Sequence, residues 1–70
     1  MIYKVSYVII GGRQPGAIIN QDHTPYIGEK VQIGELWYKV QEVKDLLPPQ
    51  GNFAYLHVTC QPTKPPAEQN

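Results

Sequence analysis

Residues 25–43 read PYIGEKVQIGELWYKVQEV, and this stretch decides the fold. Pro25-Tyr26-Ile27-Gly28-Glu29 is a turn, after which Lys30 to Ile33 alternates, with Val31 and Ile33 inward and Lys30 and Gln32 outward. That period of two is the signature of a half-buried strand. Gly34-Glu35 supplies a two-residue hairpin connection with glycine first, as a type II′ turn prefers. The return strand, Leu36 to Val43, puts Leu36, Tyr38 and Val40 on one face. The next apolar residue, Val43, comes three positions later. This change of parity predicts a β-bulge near Gln41-Glu42, which bends a strand as a small barrel requires.

Outward from this hairpin the same period recurs. Tyr3 to Ile10 alternates, with Tyr3, Val5, Tyr7 and Ile9 on one face. Val8 and Ile10 interrupt the polar face, so the second half of this strand is expected to be covered on both sides. Gly11-Gly12-Arg13-Gln14-Pro15-Gly16 stops it, because glycine admits positive φ and proline lacks a donor. Ala17 to Asn20 is a short second strand, followed by a polar loop from Gln21 to Pro25. Asp45 to Asn52 (DLLPPQGN) reads as a loop whose Leu46 and Leu47 cap one end of the core. Phe53 to Gln61 is the last strand, with Ala54, Leu56, Val58 and Cys60 on one face and Phe53, Tyr55, His57 and Thr59 on the other. No stretch carries a sustained helical period. The expectation is an all-β domain over residues 1–61, of four to five antiparallel strands curled into a small SH3-like or partly open barrel. A flat sheet that pairs as a homodimer is the competing solution. Residues 62–70, PTKPPAEQN, lack large apolar side chains and predict a disordered tail.

Composition narrows the function classes. Six Lys plus Arg balance six Asp plus Glu, giving zero formal charge. Nucleic-acid binding domains normally carry a basic surplus, so neutrality disfavours that class without removing a local basic patch. The longest purely apolar run, Val8-Ile9-Ile10, is far too short to span a bilayer. MIYKVSYV lacks the pattern of a signal peptide, and the single cysteine, Cys60, suits a reducing interior, so a cytoplasmic location is expected.

Chemistry-bearing motifs are sparse. GGRQPG follows a strand, but Ala17-Ile18 stand where a phosphate loop needs Lys and Ser/Thr, so it reads as a turn with Arg13 at its tip. His57 and Cys60 lie three apart on a strand and leave opposite faces, which suits neither a zinc site nor a Cys–His pair. Asp22-His23 reads as a solvated pair in a polar loop. No cofactor, no metal site and no catalytic activity are expected.

The aromatic residues carry the functional signal. One Trp, five Tyr and one Phe exceed what so small a core holds. Trp37, Tyr55 and His57 fall on outward parity and, with Arg13, form the candidate binding face for a protein partner, since Trp, Tyr and Arg dominate interface hot spots. The competing reading has Trp37 and Phe53 closing a second layer of the barrel. The alternative function is single-stranded nucleic-acid binding, with Tyr55 and Trp37 stacking on bases while Lys30, Lys39 and Arg13 meet phosphates.

The P-x-x-G-E turn, V-x-I, tight turn and Y-x-V-x-x-V of residues 25–43, together with YVIIGGRQPGAIINQD and YLHVTC, resemble short bacterial β-domain proteins, of a cyanobacterial type. The resemblance implies a small β domain. It brings no activity and no functional residue with it.

Overall fold

The computed structural model describes residues 1–12 and 14–67; Arg13 and residues 68–70 lie outside the described residues. Five strands follow in order: β1 (Ile2–Ile9), β2 (Ala17–Gln21), β3 (Lys30–Ile33), β4 (Leu36–Gln50) and β5 (Phe53–Thr63). Among the described residues there is no helix, and so none long and apolar enough to cross a membrane. The strands form a single sheet in the order β2-β1-β5-β4-β3, curled into a half-barrel. β1–β2, β3–β4 and β4–β5 are antiparallel, whereas β1 and β5 run parallel, with Ile2 opposite Phe53 and Ile9 opposite Cys60. The domain is therefore two antiparallel units, β1–β2 and β3–β4–β5, welded along a parallel seam.

The curl closes one face of the sheet on itself. Val5, Tyr7, Ile33, Tyr38, Val40, Leu56, Val58 and Cys60 form the buried core, with Tyr3, Ile9, Ala17, Ile19, Val31 and Val43 packed against it. Each residue stands at the inward parity of its strand, so the alternation read from the sequence is the alternation of burial. Gly34 has φ 64° and leads directly into Glu35 and β4, as the predicted turn requires. The register slips between Val40 and Glu42, placing the bulge at Gln41.

Four expectations are corrected. The strands are not all antiparallel: β5 enters the sheet beside β1 with no hairpin joining the two, and they run parallel. Asp45 to Asn52 is not a loop: β4 runs on to Gln50, and Gly51-Asn52 alone turns the chain into β5. Pro48 and Pro49 are tolerated there because β3 pairs only with Leu36 to Lys39, leaving this part of β4 at a sheet edge. The register to β5 is also irregular between Leu47 and Gln50, so the missing N–H groups remove no regular ladder bond. Leu46 and Leu47 are accordingly exposed rather than capping the core, as is Leu36 at the turn. Val8 and Ile10 are exposed as well, since no second layer covers the outer face of β1. At the other end β5 continues to Thr63, so Pro62 and Thr63 are sheet residues opposite Tyr38 and Trp37. Residues 64–67 are exposed and have no regular structure.

Gly16 locks the β1–β2 connection. Its φ of 101° is reserved for glycine, and a Cβ there would collide with the Tyr7 carbonyl oxygen.

Candidate binding face on the outer surface of the sheet

β5 is the central strand, so its outward residues sit in the middle of the outer face. Phe53 and Tyr55, two positions apart and hence side by side, stack with ring centroids 6.5 Å apart and planes 24° from parallel. Their neighbours follow from register. Ile2 and Lys4 of β1 stand opposite Phe53 and Tyr55, and Ser6 stands opposite His57. On the β4 side Leu47 stands opposite Tyr55 and Lys44 opposite His57. Ile18 of β2 extends the row beyond Ser6. Ile2 is 42 % exposed, Leu47 50 % and Phe53 39 %, with Ile18 on the edge strand at 71 %, so this end of the outer face is apolar, aromatic and uncovered. A sheet with one solvated face ordinarily alternates apolar with polar; here the solvated face keeps large apolar groups, and such patches mark interaction surfaces.

Of the residues singled out from sequence, Tyr55 and His57 stand together on β5, each half-buried. Trp37 shares their face and is also half-buried, but it lies opposite Thr63, six residues further along β5 than His57 and thus about 20 Å away. Arg13 lies outside the described residues. The structure adds Phe53, Ile2 and Leu47 to the patch. Phe53's outward parity was legible, but Leu47 read as part of a core-capping loop, and which strands adjoin β5, and in which register, could not be read.

A second polar cluster organises the connection between β2 and β3. The His23 ring lies with Nε2 3.1 Å from Glu29 Oε2 and Nδ1 3.3 Å from Asp22 Oδ1. Glu29 Oε1 in turn accepts from the Tyr26 backbone N–H at 3.1 Å, and the Glu29 N–H donates to the Tyr26 carbonyl at 3.0 Å, closing the turn over Gly28. The hydrogen bond to Glu29, then that to Asp22, raises the His23 pKa above 6.5. Asp22 and His23 are solvent-exposed, as adjacency in a polar loop suggests; the tie that sequence did not show is His23 to the largely buried side chain of Glu29. Beside it the Tyr7 hydroxyl donates to Gln21 Oε1 at 2.9 Å and Gln21 Nε2 donates to the His23 carbonyl at 3.0 Å. Burial pushes the Tyr7 phenol up to about 12.

Cys60 is fully buried, its thiol donating to the Val8 carbonyl at 3.6 Å, and burial raises its pKa. It lies across the sheet from the face that carries His57. Among the described residues no three His, Cys, Asp or Glu side chains converge as metal ligands would. A shallow depression of about 480 Å³ lies beside Ile2, Asn20, Gln21 and Asp22, at the margin of the outer face.

Compared with known proteins, the chain matches no family model, and no curated protein or solved structure is significantly similar to it.

Proposed function

We propose that the chain is a non-catalytic interaction module that docks a protein partner on the outer face of its sheet, through Phe53, Tyr55 and His57 with Ile2 and Leu47 beside them. The observation that carries this reading is the Phe53–Tyr55 stack on the central strand, with Phe53 exposed, Tyr55 half-buried and the exposed aliphatic Ile2 and Leu47 beside them. Rigid aromatic groups supply large contact area at low entropic cost, which suits them to anchor an interface. Lone Cys60 supports a reducing, cytoplasmic setting.

Affinity capture from cell lysate, with and without nuclease, tests the reading. Wild-type protein is expected to retain one protein partner in near-equal amount, unaffected by nuclease. A folded Phe53→Ser/Tyr55→Ser variant is expected to lose it. Capture that is identical with the variant overturns the assignment of the face.

The second reading, single-stranded nucleic-acid binding, is favoured by Lys4 and Lys44, which stand on either side of β5 next to Tyr55 and His57. Titration with short RNA and DNA at about 50 mM salt decides it; no binding there removes it.

A further inference from the structure

We infer that the partner of the outer face is acidic: a protein segment bearing carboxylates between apolar side chains. The inference rests on the interaction reading above and names the chemistry of what docks. The chain has no net charge, but the sheet sorts its charges by face. Lys4 on β1, Lys30 on β3, and Lys39 and Lys44 on β4 all stand at outward parity, because each alternates with residues that pack in or against the core. Glu42 is the one carboxylate among the described residues that shares this face. The others are elsewhere: Asp22 and Glu29 in the β2–β3 connection, Glu35 in the hairpin turn, and Asp45 at inward parity opposite Leu56. Lys4 and Lys44 flank the aromatic patch, with Glu42 beside Lys44, and Lys30 and Lys39 carry the positive charge along the same face to a point about 20 Å further on, opposite Gln61, in a protein whose total gives no hint of it.

Two details argue that this charge serves an absent anion rather than the fold. Lys30 and Lys39 are direct cross-strand partners, and like charges placed opposite each other destabilise a sheet. Lys39 faces Gln61 on its other side, so no carboxylate in the row offsets the pair. Lys44 does meet Glu42 at 3.4 Å, but both side chains are more than half exposed, a pair that a better-placed carboxylate readily replaces. Lys4 and Lys44 lie one strand to either side of β5, roughly 10–12 Å apart, bracketing the stack. Exposed Ile2 and Leu47 beside the stack, with exposed Ile18 on the edge strand β2, favour a peptide over a nucleic acid, because base stacking draws on aromatic rings and basic groups rather than aliphatic ones.

The test is an NMR titration of the isotopically labelled full chain with a peptide of repeated Glu-Tyr units, its Gln-Tyr counterpart, and oligo-dT. The Glu-Tyr peptide is expected to shift the amide signals of Lys4, Lys44, Tyr55 and His57. It should bind at least ~10-fold more tightly than Gln-Tyr, and ~10-fold more weakly when salt rises from about 50 to about 200 mM. Lys4→Glu/Lys44→Glu, changes at exposed sites, should abolish that preference while the spectrum stays folded. Equal binding of Glu-Tyr and Gln-Tyr, tighter binding of oligo-dT, or concentration-dependent shifts without any ligand each overturn the inference. The last two outcomes point respectively to a phosphate backbone and to a second copy of the chain. The two proposals fail separately. If lysate capture survives Lys4→Glu/Lys44→Glu but not Phe53→Ser/Tyr55→Ser, the interaction face stands and its acidic partner does not.

Discussion

The two faces of β5 differ although they share one backbone. Ala54, Leu56, Val58 and Cys60 are 7, 3, 0 and 0 % exposed, whereas Phe53, alternating with them, is 39 % exposed, and Tyr55, His57 and Thr59 are half-buried. Both sets hang from a strand hydrogen-bonded to β1 on one side and β4 on the other, so ladder bonding cannot separate them. What separates them is cover. The curl of the sheet brings Val5 and Tyr7 of β1, Ile33 of β3, and Tyr38 and Val40 of β4 over the inner residues, and nothing in a single five-stranded layer lies over the outer ones. Folding free energy in so small a domain is thus concentrated on one side of the sheet, and the other side carries little of it.

Substitutions that contrast the faces should show this as a graded series. Leu56→Ala removes a core side chain between β1 and β4 and should cost about 2–5 kcal/mol. That is a large share of what a domain this size holds, so chemical denaturation should show a collapsed midpoint and buried Cys60 should become open to thiol reagents. Gly16→Ala forces a side chain into left-handed backbone and against the Tyr7 carbonyl, and should cost about 1–3 kcal/mol by the same assay without touching either face. Tyr55→Ala, on the outer face, gives up its stack with Phe53 and should cost only about 0.5–1.5 kcal/mol. A Tyr55→Ala cost equal to that of Leu56→Ala breaks the contrast.

The smallest effect belongs to the β2–β3 connection, outside both faces. Glu29 first and Asp22 second hold His23 protonated above its ordinary 6.5, so its stabilising contribution is complete below that value. It disappears as pH rises through the raised folded-state pKa. His23→Gln should lose less than about 1 kcal/mol at about pH 5.5, since the His23 side chain is 55 % exposed, and nothing at about pH 9. Equal destabilisation at both pH values contradicts the assigned tie.

The hairpin from Lys30 to Val40, the bulge at Gln41 and the inward residues of β1 and β5 were legible because each follows from parity and one glycine turn. The parallel seam between β1 and β5 was not, since a period of two says which face a residue takes but not which strand lies beside it. The extension of β4 was hidden by Pro48-Pro49, which read as a stop although a sheet edge admits them, and by a Gly51-Asn52 turn submerged in the same polar run. The site shows the same division. Tyr55 and His57 could be placed outward from sequence, but Trp37 could not be placed along the strand without the register that sets it opposite Thr63. The pairing of His23 with Glu29, six residues on, needed the Tyr26–Glu29 turn that brings them together.

Thermal unfolding of Phe53→Ser/Tyr55→Ser, followed by thiol labelling of Cys60, tests the division of labour between the faces most directly. The account predicts a cooperative transition within about 15 °C of wild type, a drop of that size following from a loss of about 2 kcal/mol in a domain of this length, with Cys60 still protected below it. A variant with no cooperative transition, whose Cys60 labels as fast as in denaturant, would show that the outer aromatic residues hold the fold and contradict the account.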